Sequence, residues 1–397
     1  MNMIDRIRSL FSMPEGEIRV GLYAVLFCVA LAVTYGLAKV LIRLAPRFGA
    51  LDQPGGRKIH AQPVPKLGGL AIFVGVAVAA LAGCALHTGV ARDLFSPKSL
   101  AVFAGMTVML LLGVYDDLRR ASWMVKFAFQ IVAACIVIHE GLVVTKLTNP
   151  IGSTLTLPPF IAILFTIVWI VGITNAINLS DGLDGLASGI TLIVSGVTFA
   201  NTLHLMKTRP EQYDFFIFPV ITSVCLLGAA LAFLRFNFFP ARIFLGDTGS
   251  LFLGFLIACT AIRSSQMSTT AVGLMVPAIA LGLPILDTLI AFLRRTARRR
   301  NPFQADKEHI HHKMLERGLS HPDTVLVLYG FCLLLGVAAV FLALKMQQYA
   351  AVVLVVLTVI VLVAFKFLGV LDITRLWGMR RGGEQEPARR TSGRKRP

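Results

Sequence analysis

The chain has 397 residues, 56% of them hydrophobic and only 15% charged, with 38 Lys+Arg against 21 Asp+Glu and a formal net charge of +17. Soluble domains run at about 45–50% apolar and about 25% charged, so this composition, with a mean hydropathy of +0.76, excludes an ordinary soluble protein and predicts a polytopic membrane protein. The basic excess does not imply a nucleic-acid partner: Lys and Arg gather in particular loops and the tail, and no nucleic-acid module is recognisable.

Apolar runs of near-spanning length fall at 19–43, 67–88, 99–115, 123–140, 158–175, 183–205, 215–235, 244–262, 271–293, 324–344 and 349–370. They predict an all-α fold of about 11 transmembrane helices. The first run reads as a retained helix, not a cleaved signal peptide. Residues 1–370 are expected to form a single transmembrane catalytic domain. Residues 371–397, ending Arg394-Lys395-Arg396-Pro397, read as a basic, disordered cytoplasmic tail, either a solvated topology signal or a contact for anionic head groups. The six cysteines at 28, 84, 135, 225, 259 and 332 have no paired spacing and read as small buried hydrophobes. No internal repeat is evident, and the Gly/Pro breaks do not recur in matching halves, which disfavours an inverted-repeat transporter.

Charge bias sets the orientation. The loops near 44–66, 116–126, 176–182, 236–243 and 294–323, with the tail, hold 24 Lys/Arg against 9 for the opposite side. The basic side is expected to be cytoplasmic, with the N-terminus outside and the C-terminus inside. The polar clusters fall on that same side, although they took no part in choosing it, and so predict one active site built from loops near 44–66, 116–126, 176–182, 236–250 and 294–323.

Taken in chain order, the first cluster is Arg57-Lys58-Ile-His60 through Lys66-Leu-Gly68-Gly69. It fits anion binding, and equally a plain loop-to-helix junction. Asp116 and Asp117 end the third run. Neighbours on a helix point about 100° apart, so one acid is expected to face a reaction centre while the other holds Arg119, Arg120 or Lys126. A bare helix-end charge pair is the structural alternative.

The run Asn175-Ala-Ile-Asn178-Leu-Ser-Asp181-Gly-Leu-Asp184-Gly-Leu carries two carboxylates and two carboxamides between two apolar runs. An Asp costs roughly 2.5–3.5 kcal/mol at a membrane helix centre, so acids in such places are expected to be used. If the next helix starts there, Asp181 and Asp184 share a face. The structural alternative is a capping box with polar helix contacts.

In Phe244-Leu-Gly246-Asp247-Thr248-Gly249-Ser250 an acid opens an apolar helix. A helix N-terminus attracts phosphate, and a carboxylate beside phosphate calls for a cation. Mg²⁺ fits, because it binds one or two carboxylates together with substrate phosphates; Mn²⁺ is a substitute. A simply capped helix is the alternative. Five arginines (294, 295, 298, 299, 300) precede His309, His311 and His312, and both residue types bind phosphate. Zinc is disfavoured, since no cysteine accompanies them. Asp287, after Pro284 in the ninth run, could pair with an arginine or line a lipid groove. A secondary transporter using Asp181, Asp184 and Asp287 is the alternative class, weakened because most of these acids sit at one membrane face.

These residues, in this order, resemble the polyprenyl-phosphate N-acetylhexosamine-1-phosphate transferases of glycosyltransferase family 4, and within them the undecaprenyl-phosphate GlcNAc-1-phosphate transferase branch. The resemblance runs from about residue 50 to 322. Asn175–Leu186, the Asp-Asp pair, Gly-Asp-Thr-Gly-Ser and His-Ile-His-His are specific jointly, not singly. It implies transfer of GlcNAc-1-phosphate from UDP-GlcNAc to undecaprenyl phosphate with Mg²⁺, releasing UMP, at a bacterial inner membrane with the site facing the cytoplasm. O-antigen or teichoic acid synthesis would follow.

The resemblance implies Asp247 and Asp181 as metal ligands, and Asp116 or Asp117 as the group that deprotonates or orients the lipid phosphate. Asn178 would line the nucleotide–metal site. Asp184 and Phe244 would meet the uracil, with Asn237 in support. His309, His311, His312 and Arg294 or Arg295 would hold the diphosphate and sugar, and His60 and Lys66 would assist in anion binding. Ile310 interrupts the three consecutive histidines more typical of the phospho-N-acetylmuramoyl-pentapeptide transferases. That branch, another UDP-N-acetylhexosamine and a homodimer stay open.

Overall fold

The computed structural model describes residues 20–53, 63–148, 154–265, 272–297 and 309–345, together with residues 8, 10, 18, 355, 359, 363 and 366. The predicted eleventh span at 349–370, the tail from 371 and the His60 segment lie outside the described residues, the four single positions 355, 359, 363 and 366 apart.

The described helices are α1 (Val20–Leu44), α2 (Gly68–Leu86), α3 (Thr88–Leu94), α4 (Pro97–Arg119), α5 (Trp123–His139), α6 (Pro159–Ser180), α7 (Leu186–Thr208), α8 (Ile217–Asn237), α9 (Gly246–Ser265), α10 (Val272–Ala280), α11 (Gly282–Ala297), α12 (Ile310–Glu316) and α13 (His321–Lys345). Eight of the described helices are long and apolar enough to cross a bilayer, nine spans if the bent pair α10–α11 counts as one, and α5 is a shorter apolar helix. The chain is a polytopic, mainly helical membrane protein.

Three details depart from the sequence reading. The ninth predicted span is broken: α10 and α11 meet at a 70° bend. Pro277 lies inside α10 and Gly282-Leu-Pro284 opens α11, and proline removes a ladder hydrogen bond and crowds the preceding turn. Helices α4 and α6 run past the predicted ends, so Asp116, Asp117 and Asn178 stand on helices rather than in loops. Two antiparallel ribbons also appear, β1 (Leu51–Asp52) with β2 (Val64–Pro65) and β3 (Lys146–Thr148) with β4 (Thr154–Thr156).

Helix α9 forms the centre, with nearly all of its side chains buried. It packs on α2, α4, α6 and α10, while α8 packs on α1, α2 and α7. Lipid tails are as apolar as leucine, so helix association in a bilayer depends on close packing, which small residues permit. A Cβ on Gly69 of α2 would sit 2.1 Å from the Gly249 Cα of α9, and one on Gly113 of α4 would sit 2.4 Å from the Asp247 carbonyl oxygen. Several buried hydroxyls are satisfied within their own helices, as where Thr174 donates to the Ile170 carbonyl and Ser180 to the Ala176 carbonyl. Cys225, Cys259 and Cys332 are buried, whereas Cys28 and Cys135 are exposed on helix faces, where lipid tails rather than protein would cover them.

Candidate active site

Helix direction alternates, which brings the C-termini of α4, α6 and α8 and the N-termini of α2, α5 and α9 to one end of the bundle. Main-chain bonds join the first and fourth sequence clusters there. Phe244 N–H donates to the Pro65 carbonyl at 2.8 Å, and Gly68 and Gly69 N–H donate to the Phe244 and Leu245 carbonyls at 3.0 Å each. A cleft of about 830 Å³ opens at this end, lined in part by Lys66, Asp117, Asp181, Asp184, Asn237, Phe244, Asp247, His312 and His321.

Asp247, in the first turn of α9, is the hub. Asn178 Nδ2 donates to its Oδ1 at 3.0 Å and to Ser250 Oγ at 2.8 Å. Lys126, on the first turn of α5, places its ammonium between Asp247 and Asp116, 2.8 Å from Asp116 Oδ2. Asp117 faces the other way. Its carboxylate accepts from Asp247 N–H at 3.2 Å, Thr248 N–H at 3.0 Å and Thr248 Oγ1 at 2.7 Å, and so caps α9 from a different helix. The Asp-Asp pair therefore divides its work, as the roughly 100° offset requires.

Asp181 follows the last residue of α6. Lost hydration pushes its carboxyl well above the usual carboxylate range, and the charges of Asp247, Asp117 and Asp184 push it further. Helix α7 starts at Leu186, not at the acids, so Asp181 and Asp184 sit in the intervening turn and do not share a helix face. Asp184 is turned toward the next loop: its Oδ2 accepts from Ala241 N–H at 2.9 Å, and its own N–H donates to His321 Nε2 at 3.3 Å. Asn237 is buried between Ser188 Oγ at 2.7 Å and the Ile243 carbonyl at 3.0 Å, which fixes the loop that carries Phe244. Lys66 pairs with Asp52 at 3.0 Å.

The three histidines occupy different surroundings. Only His312 lines the cleft; His309 and His311 are buried. Burial, with the charge of His312, pushes His311 down to about 3, so its ring is neutral. Gly182 makes room for it, since a Cβ there would lie 2.6 Å from His311 Nε2. Arg294 and Arg295 are buried in the last turn of α11 and do not line the cleft. Asp287 meets His309 rather than an arginine.

Four cleft or near-cleft residues escaped the sequence reading as site residues. By sequence Lys126 reads only as an ion-pair partner, yet a lone lysine opening an apolar run is a usable signal. Arg242 also lines the cleft. Phe239 and His321 line it as a stacked pair with ring centroids 4.5 Å apart; they lie 82 positions apart, and only folding reveals the pair.

Among the described residues no three His, Cys, Asp or Glu side chains cage a metal by themselves. The donor set still fits a hard divalent cation that brings phosphate ligands with it. Asp117, Asp181 and Asp247 supply carboxylates to one cleft, and Lys126 is the one ammonium drawn between Asp116 and Asp247.

The fold and the site are those of a polytopic membrane protein that gathers acids, amides, Lys66 and Lys126 at one end of its helix bundle. The profile of glycosyl transferase family 4 matches residues 99–265. The chain is 36% identical over 318 residues to a probable undecaprenyl-phosphate N-acetylglucosaminyl 1-phosphate transferase of Bacillus subtilis, covering 80% of this chain and 84% of that one. It is 37% identical over 314 residues to a decaprenyl-phosphate N-acetylglucosaminephosphotransferase of Mycolicibacterium smegmatis, covering 76% and 77%. A phospho-N-acetylmuramoyl-pentapeptide-transferase of Lacticaseibacillus paracasei is 36% identical over only 214 residues, covering 50% and 60%. The chain belongs to glycosyl transferase family 4, in which it resembles the undecaprenyl-phosphate GlcNAc-1-phosphate transferase branch.

Proposed function

We propose that this protein transfers GlcNAc-1-phosphate from UDP-GlcNAc to undecaprenyl phosphate, giving undecaprenyl-diphospho-GlcNAc and UMP. The observation that carries the reading is the crowding of acids around the N-terminus of α9: Asp116 and Asp247 share Lys126, and Asp117 and Asp181 stand at the same turn. Such crowding suits a cation that arrives with a diphosphate. Mg²⁺, with Mn²⁺ as a substitute, would be held by Asp247 and Asp181 and would supply charge neutralisation at the diphosphate oxygens.

In the reaction an oxygen of the lipid phosphate forms a bond to the sugar-bearing phosphorus, and the anhydride bond to UMP breaks. One anhydride replaces another, so the chain's task is positioning and charge stabilisation. Lys126 offers its ammonium to phosphate oxygens at the Asp247 end. Asp116, released from Lys126 by an incoming anion, orients the lipid phosphate or takes its proton. Lys66, Arg242 and His312 line the cleft with donors for the remaining oxygens. Phe244 stacks on the uracil, with Asp184 and Asn237 holding the loops around it.

The 24-to-9 bias of Lys/Arg supports a cytoplasmic site in a bacterial inner membrane, with the N-terminus outside. The product would feed a cell-surface polymer such as O-antigen or teichoic acid. The deciding experiment measures UMP release by purified protein with undecaprenyl phosphate and Mg²⁺, comparing UDP-GlcNAc, UDP-GalNAc and UDP-MurNAc-pentapeptide, each with an EDTA control. Lipid- and Mg²⁺-dependent release from UDP-GlcNAc is expected. Release only from the pentapeptide nucleotide would move the protein to the other branch, and none from any donor would sink the reading.

A further inference from the structure

Asp287 lies in α11, beyond the 70° bend and three residues after Pro284, and it does not line the large cleft. Its carboxylate nevertheless makes two directed contacts across to the histidine cluster. Oδ2 lies 2.9 Å from His309 Nδ1, and Oδ1 accepts the Ile310 N–H at 3.0 Å. The His309 side chain is only 5% exposed and that of Asp287 16%. An ionised carboxylate only accepts, so the ring nitrogen facing it carries the proton. Asp287 therefore selects the Nδ1–H form of His309. It also caps the first turn of α12, a turn that the His309 side chain itself does not cap.

The orientation set at His309 passes along the cluster by packing. The His309 ring is parallel to that of His311, 3° apart in plane at 5.8 Å, and His311 meets the His312 ring at 4.3 Å. His312 is the member that lines the cleft. A small cavity separate from the large cleft is bordered by Ser180, Asp287 and His311.

We propose that Asp287 is a positioning residue for the transfer reaction: it fixes the tautomer of His309 and the start of α12, and through them the placement of His312 in the cleft. The catalytic part of this rests on the transferase reading above. A carboxylate that orients a histidine without touching substrate is a known device at metal-bound histidines, where its loss costs about 10- to 100-fold, and that sets the scale expected here.

Asp287→Asn separates this from a plain helix cap. Asparagine has one acceptor oxygen where aspartate has two. It can keep the Ile310 N–H or accept from His309, but not both, and its amide turned to the ring demands the opposite tautomer. Wild type, Asp287→Asn, Asp287→Glu, His309→Asn and the Asp287→Asn/His309→Asn pair would be compared. Readouts are UMP-release kinetics and the ¹⁵N spectrum of ¹⁵N-histidine-labelled protein, with the His309 signal assigned by its loss in His309→Asn.

The wild type should show a protonated His309 Nδ1, and Asp287→Asn should lose that signature. The kcat of Asp287→Asn should fall about 10- to 100-fold, with a smaller change in KM for UDP-GlcNAc and partial recovery in Asp287→Glu. The double variant should be no worse than His309→Asn, because the two residues act as a unit. A bare Nδ1 in the wild type, or an Asp287→Asn protein that turns over like wild type, would overturn the proposal. A wild type inactive with every donor would overturn the transferase reading and the catalytic role together, while the wild-type spectrum would still decide whether Asp287 holds His309.

Discussion

The two ends of α9 carry charge in opposite styles. At its C-terminal end Arg263 is matched one to one: its Nη2 lies 2.6 Å from Asp93 Oδ1, and its guanidinium sits 5.3 Å from the Phe218 ring centroid. At its N-terminal end Asp247 shares Lys126 with Asp116, and Asp117 and Asp181 crowd the same turn. The N-terminal end opens on the cleft, its Asp247 side chain 22% exposed against 6% for Arg263, and the two ends differ in balance as well. A closed ion pair joins elements, whereas an excess of one sign leaves the protein wanting a charge that it does not itself supply. The same contrast separates the histidines, with His309 and His311 enclosed and His312 at the cleft.

The largest effect is expected at the unbalanced end. Asp247→Asn should lower turnover by at least about 10³-fold, the scale of losing a main electrostatic element of a transfer site, while detergent-extracted protein keeps its melting temperature. Near-normal turnover would remove Asp247 from the metal site. At the balanced end the consequences reverse. Arg263→Ala strands a buried carboxylate and should cost about 3–5 kcal/mol of stability, read as a lowered Tm, with the folded fraction still active. Equal losses of specific activity at the two ends would break the comparison.

The enclosed histidine gives a pH test. His311 is held neutral down to about 3, whereas an unfolded histidine takes up a proton near 6.5. Between those values the unfolded chain binds more protons, so the contribution of His311 is present above pH 6.5 and lost as pH falls. One pH unit below 6.5 the expected loss is about 1.4 kcal/mol. The Tm of wild type should drop over that range more than the Tm of His311→Gln; parallel curves would show that His311 does not titrate on unfolding. The smallest effect is expected at Phe244→Ala. Loss of ring stacking worth about 0.5–1.5 kcal/mol should weaken UDP-GlcNAc binding roughly 2- to 10-fold by calorimetry, with kcat less affected. Unchanged affinity would take Phe244 out of the uracil pocket and leave the Phe239–His321 stack as the aromatic surface of the cleft.

The sequence by itself determined the class and most of the inventory. Apolar runs of spanning length require helices, because a bilayer offers backbone groups no other partner, and ten of the eleven predicted runs coincide with described helices or the bent pair. Acids in such a chain stand out through their cost, which made Asp116, Asp117, Asp181, Asp184 and Asp247 visible as candidates. Tertiary structure alone decided how they are used. Hydropathy averages over a window and cannot register the direction of a side chain or a partner a hundred residues away. Thus Lys126 bridging two acids, Asp117 capping α9, Asp184 turned to Ala241 and Asp287 gripping His309 were out of its reach. The extension of α6 through Asn178 has the same cause: the amide finds its partners on α9 rather than in water, and that long-range satisfaction lets a helix continue where local polarity predicts a loop.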